Sequence, residues 1–192
     1  MAEPATAVDI ARRLADALEK ADLPYAIGGA LALAYYAVPR ATVDVDINIF
    51  VPPATELPLV LHTLQGAGFA PDASAPTIER QATTDGQFRG YVDGLRVDVF
   101  VPAINYYAEL QQRRRQVPLA GRPAWVLGPE DIAILKLMFY RRKDLADVES
   151  LLREQGGALN LKFVADKLRD LVGDDDERLR TLTEIADEVE KS

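Results

Sequence analysis

The chain has 192 residues, 48% hydrophobic and 27% charged, and 30 acidic against 22 basic residues leave a net charge of −8. That balance argues against a histone-like or generally DNA-coating protein, and the absence of cysteine excludes a disulfide scaffold, a cysteine-zinc site and thiol catalysis. With one histidine, His62, any metal site must be built mainly from carboxylates, the hard oxygen ligands that suit magnesium, manganese or calcium.

Residues 1–3 carry no basic segment, and Asp9, Arg12, Arg13 and Asp16 interrupt any apolar run, so no export signal is read. The longest uncharged stretch, 23–39, contains Pro24, Pro39 and Gly28-Gly29 and is too short and broken for a membrane span. A cytoplasmic protein without membrane attachment is expected.

Pro4 followed by 5–21 reads as an opening helix with Val8, Ala11, Leu14, Ala15 and Leu18 as its apolar stripe. Residues 25–27 form a short apolar run into Gly28-Gly29, and 30–37 has strong helix formers stopped by Pro39: strand, glycine turn, helix. The clearest strand is 43–51, with Val43, Val45, Ile47 and Ile49 on one face and Asp44, Asp46 and Asn48 on the other. Pro52-Pro53 ends it. Residues 55–66 read as a helix packed through Leu57, Val60, Leu61 and Leu64, and 68–84 as a turn-rich stretch without an assigned element. Strands 88–92 and 95–101 flank Asp93-Gly94, a two-residue hairpin signal, and Arg96 and Asp98 share one face of the second arm.

A helix is expected over 104–115 and short strands over 116–119 and 124–127. After Gly128-Pro129 the pattern turns helical, with elements at 130–140, 144–153, 161–171 and 177–190. There is no internal repeat. The expected division is a sheet-bearing unit over 1–127 and a helical unit over 128–192. Charge is segregated as well: over 111–143 eight basic residues oppose Glu130 and Asp131, leaving +6, whereas over 166–192 ten acids oppose five bases. The basic run is either a local RNA-contacting surface or an ordinary solvated face.

Asp44 and Asp46 project to the same side of an otherwise apolar strand, and an unpaired buried charge there would be strongly disfavoured. They need solvent, hydrogen bonds, basic partners or metal. Asp98, on a second strand of similar alternation, completes the set if the strands are neighbours; it also has Arg96 and Arg40 as candidate partners. Three clustered carboxylates repel without a cation, and magnesium relieves that repulsion. The arrangement suits nucleotidyl transfer, in which two divalent ions hold a triphosphate and stabilise the incoming and departing oxygens at the α-phosphorus. Gly28-Gly29 would let backbone N–H groups approach a phosphate.

The order Ile27-Gly28-Gly29-Ala30, then Arg40-Ala41-Thr42-Val43-Asp44-Val45-Asp46-Ile47, then Arg96-Val97-Asp98-Val99 resembles the nucleotidyltransferase superfamily typified by DNA polymerase beta. It is most similar to the small prokaryotic branch of AbiEii-like and MenT-like toxins. The resemblance implies an α/β (α+β) minimal nucleotidyltransferase fold: a mixed β-sheet flanked by helices, with a C-terminal helical unit closing over an NTP. It implies that Asp44, Asp46 and Asp98 carry Mg2+ or Mn2+, that Gly28 and Gly29 contact the phosphates, that Lys136 or Lys143 reaches the triphosphate, and that Asp147 orients a basic group or the base. Gly29 stands where the more widespread motif has serine, and fourteen residues separate Gly29 from Asp44, at the long end for the motif.

Around this set, Arg40 and Thr42 precede the carboxylate strand; Arg40 suits either phosphate or a salt bridge to Asp44 or Asp98. Lys136 interrupts a very apolar helix and needs a carboxylate, a phosphate or a route to water. Lys143 and Asp147 are four apart and suit an internal helix pair. Met138, Phe139, Tyr140 and Trp125 read as core, His62 as helix packing, and Tyr106-Tyr107 with Arg113–Arg115 as candidate acceptor contacts. The expected reaction moves an NMP from an NTP to an acceptor hydroxyl. The acceptor is either tRNA or other RNA, with an antitoxin protein as a further partner, or a small antibiotic-like molecule; a regulator that binds nucleotide without turnover is the competing class.

Overall fold

The computed structural model describes residues 5–191. Pro4, expected to open the first helix, lies outside the described residues. Helix α1 (Ala7–Lys20) starts instead at a capping box: the Asp9 N–H donates to Thr6 Oγ1 at 3.2 Å, and the Thr6 N–H donates to the Asp9 carboxylate at 2.9 Å. Its inner face buries Ile10, Leu14 and Leu18 completely.

Seven strands among the described residues make one mixed sheet: β1 (Tyr25–Ile27), β2 (Asp44–Ile49), β3 (Ala70–Pro71), β4 (Gln87–Val92), β5 (Leu95–Phe100), β6 (Arg115–Leu119) and β7 (Arg122–Val126). Their order is β3-β4-β5-β2-β1-β7-β6, with β2–β5 and β1–β7 parallel and the other pairs antiparallel. The Asp93-Gly94 turn has positive φ at both residues (50° and 83°), the two-residue geometry that matches strand twist, and it pins Val92 opposite Leu95. That register carries Arg89 opposite Asp98. Ala120-Gly121 (φ 48° and 79°) closes the β6–β7 hairpin in the same way. Val45, Ile47, Val97 and Val99, on the face away from the carboxylates, are fully buried.

Several elements differ from expectation. Helix α2 (Gly29–Leu33) stops four residues before 37: the Tyr35 N–H donates to the Ala32 carbonyl and the Tyr36 N–H to that of Leu33, tightening the last turn ahead of Pro39. Helix α3 (Pro53–Gly66) begins two residues early, because Pro53 is preorganised for a first helical turn. The turn-rich stretch holds β3 and a helix, α4 (Ala75–Thr84), that buries only Ile78 and Ala82. Helix α5 is Tyr106–Arg113. The later helices are α6 (Pro129–Phe139), α7 (Arg142–Gln155), α8 (Leu161–Val172) and α9 (Glu177–Glu190).

The chain gathers into two compact units. One comprises the chain up to Leu31 with Ala41–Leu127 and holds the whole sheet; the other comprises Ala32–Arg40 with the chain from Gly128 onward. A linear division at 127 does not anticipate that Ala32–Arg40 goes with the second unit. No helix among the described residues is long and apolar enough to cross a membrane.

Candidate active site

Parallel pairing of β2 with β5 sets Asp46 beside Asp98 and Asp44 beside Arg96. Register partners on neighbouring strands point to the same face about 4.8 Å apart, so the three carboxylates lie on one face of the sheet as the alternation of each strand requires. Asp98 is buried, while Asp44 and Asp46 are half-buried. The charge is compensated from inside the sheet. Arg96 pairs with Asp44 and places Nε 3.0 Å from Asp98 Oδ2, and Arg89 on β4 donates to Asp98 Oδ1 at 2.6 Å. Thr42 Oγ1 donates to Asp44 Oδ1 at 2.5 Å.

The glycine turn sits directly on this row. The Gly28 N–H donates to the Asp46 carbonyl at 2.9 Å, so that amide is committed to the sheet rather than to a phosphate. A Cβ at Gly28 would lie 2.8 Å from Asn48 Nδ2, and one at Gly29 would lie 2.7 Å from Asp46 Cγ. Gly29 also has φ +55°, where a side chain is strained. Serine, the residue of the more widespread motif, therefore cannot replace Gly29 here without displacing the Asp46 carboxylate.

In the second unit, Lys136 is buried with Nζ 2.7 Å from Asp147 Oδ2 and 3.1 Å from Asp144 Oδ1. Arg40 donates to both oxygens of Asp147, at 2.9 and 3.0 Å, and Arg141 Nε donates to Asp144 at 2.5 Å. Burial pushes both carboxyls up, but the hydrogen bonds and charges of Arg141 and Lys136 on Asp144, and of Arg40 and Lys136 on Asp147, together hold them below the usual aspartate value. Asp147 thus pairs with Arg40 and Lys136 rather than with Lys143, which is exposed. Sequence distance hid that partnership.

Other expectations change too. Tyr106 and Tyr107 are buried and do not present an acceptor platform, whereas Phe139, read as core, is exposed with the Arg141 guanidinium 4.9 Å from its ring centre. Half of the basic run has named partners within the protein. Arg114 stacks 4.3 Å from the Trp125 ring and donates to the Tyr25 carbonyl, Arg122 pairs with Asp16, and Lys136 and Arg141 hold Asp144. Arg89 and Asn48 were not singled out as site residues. Arg89 was recoverable by counting back across the Asp93-Gly94 hairpin, and Asn48 by its parity with Asp44 and Asp46.

Among the described residues, no group of three or more histidine, cysteine, aspartate or glutamate side chains is disposed to hold a metal ion. The donor chemistry still fits a hard divalent cation, since Asp46 and Asp98 are adjacent with Asp44 two positions along. Two guanidinium groups, those of Arg96 and Arg89, neutralise this row.

The fold matches solved nucleotidyltransferase structures. The antibiotic-resistance factor ANT(2'')-Ia in complex with adenylyl-2''-tobramycin aligns with a TM-score of 0.62 at 16% identity, over 85% of this chain and 97% of that one. The solution structure of the same factor gives 0.58 at 18%, over 85% and 89%. An antigenic nucleotidyltransferase-like protein of Paracoccidioides brasiliensis gives 0.52 at 19%, over 91% and 92%. The chain therefore has the nucleotidyltransferase fold. No protein-family model and no curated protein matches the sequence.

Gly29→Ala is expected to cost about 1–2 kcal/mol in chemical denaturation, and less in an Asp46→Ala background where the opposing carboxylate is gone. Equal costs in both backgrounds would contradict the packing of the turn on Asp46. Lys136→Met is expected to cost about 3 kcal/mol, because it strips a cation from two buried carboxylates. The depressed values of Asp144 and Asp147 contribute stability above the unfolded aspartate value, near 4, which is lost as pH falls through the folded values. The parent should therefore lose stability on acidification below about pH 4 more steeply than Asp144→Asn/Asp147→Asn. Parallel acid profiles would sink this assignment.

Proposed function

We propose that the protein is a metal-dependent nucleotidyltransferase that moves an NMP from an NTP to the hydroxyl of a small, cationic acceptor. The observation that carries this reading is the in-register pair Asp46 and Asp98, with Asp44 on the same face and the Gly28-Gly29 turn seated against it. Bound at Asp44, Asp46 and Asp98, Mg2+ or Mn2+ would polarise the α-phosphoryl group and stabilise the charge on the departing pyrophosphate. The acceptor oxygen forms the new bond to the α-phosphorus as the bond to the β-phosphate oxygen breaks. The acceptor proton passes to Asp98 or solvent.

Thr42 orients Asp44 through its hydroxyl, and Gly29 leaves the space in which Asp46 keeps its position. The roles of Lys136, Lys143 and Asp147 toward the nucleotide remain part of the proposal. For Lys136 such a role requires phosphate to compete with two carboxylates already in place.

A small cationic acceptor is favoured over RNA on charge. The total of −8 repels a polyanion, and Arg114, Arg122, Lys136 and Arg141, four of the eight cations in the one basic run, are paired within the protein. The ANT(2'')-Ia structure, which contains an adenylylated aminoglycoside, supports the same class of acceptor. An RNA acceptor with an antitoxin partner is the second reading; the exposed Arg142 and Lys143 favour it.

With each α-labelled NTP in turn, label should pass to a polyaminated sugar in the presence of Mg2+. Asp46→Asn or Asp98→Asn should reduce transfer by roughly 10²–10³-fold or more while leaving the circular dichroism of the fold intact. Transfer to total RNA but not to small molecules would shift the assignment to the second reading. Near-normal turnover by either folded variant would overturn the mechanism.

A further inference from the structure

Arg96 has an unusual position. It is the register partner of Asp44, shares a strand face with Asp98, and its guanidinium bridges the two carboxylates. Arg89 takes the other oxygen of Asp98. Both oxygens of the most buried carboxylate in the row are thus already paired with guanidinium groups. A cation that coordinates Asp98 competes with at least one of them, and the displaced guanidinium, its side chain 39% exposed for Arg96 and 49% for Arg89, is better held by a new anion than by water. Triphosphate is such an anion. A bare divalent cation brings none.

We infer that Arg96 is a built-in counter-ion that occupies Asp44 and Asp98 in the nucleotide-free protein, so that divalent cations bind tightly only together with a nucleoside triphosphate that takes over the guanidinium. The inference rests on the metal-dependent reading above and adds an order to it. Arg96 is here a positioning residue. It keeps the carboxylates apart from one another's charge before substrate arrives and is transferred to phosphate when substrate binds. Arg89 contacts Asp98 alone and lacks the bridge to Asp44, so it should matter less to cation entry.

The test is Mn2+ binding by electron paramagnetic resonance on the full chain, with and without α,β-methylene-ATP. Arg96→Gln should bind free Mn2+ roughly tenfold or more tightly than the parent, and nucleotide should improve Mn2+ affinity much less in the variant than in the parent. Arg89→Gln should give a smaller gain. Because Arg96→Gln removes charge compensation, thermal melts supply a second readout: Mn2+ should raise the melting temperature of the variant more than that of the parent. Equal Mn2+ affinities for parent and Arg96→Gln, or an equal gain from Arg89→Gln, would overturn the inference while leaving the metal-dependent reading intact. No Mn2+ binding by any of the three, with or without nucleotide, would overturn both.

Discussion

Like charges on one sheet face are tolerated only when something of opposite sign stands between them, and the functional half of this molecule follows from that constraint. Parallel pairing of β2 and β5 brings Asp46 and Asp98 side by side, with Asp44 one pleat away. In an apolar sheet of this kind, unpaired carboxylates would be driven to protonate or to pull the strands out of register. Arg96 and Arg89 meet the requirement from within the same strand and its hairpin partner. The same geometry offers a hard cation its oxygen ligands, so the stability of the resting sheet and the chemistry proposed for it draw on the same atoms.

The glycine turn is tied to the same row. Gly28 and Gly29 lie over Asn48 and Asp46, and each lacks a side chain where one would press on the polar group beneath. This accounts for Gly29 in place of serine in physical terms: with φ +55° and a carboxylate against the missing Cβ, the position has no room for a hydroxymethyl group. The second unit manages its own buried charge separately, through Lys136 and Arg40 on Asp147 and through Lys136 and Arg141 on Asp144.

The strands that carry the carboxylates were legible because alternation is a strong local signal. Asp46 and Asp98 each sit between fully buried valines or isoleucines, Asp44 is followed by buried Val45, and Asp93-Gly94 fixes its hairpin register outright. The neighbour relation of β2 and β5 was not local, and it came from the resemblance in motif order rather than from either strand alone. What escaped was set by long-range pairing or hidden among turn residues. Arg40 and Asp147 are 107 residues apart, so no spacing rule joins them. Helix α4 buries two side chains within a stretch whose turn residues masked it, and α2 ends early through a tightening of its own backbone. Tyr106 and Tyr107 looked like exposed binding residues because aromatic character alone does not tell a core from a surface.

The most direct measurement is a crystal structure of the protein with Mn2+ and α,β-methylene-ATP, with the anomalous signal of manganese used to place the ion. The account predicts an anomalous peak bonded to carboxylate oxygens of Asp46 and Asp98, with Arg96 turned from Asp44 toward the phosphates. Nucleotide bound elsewhere, or manganese absent from that face while Arg96 still bridges Asp44 and Asp98, would contradict it.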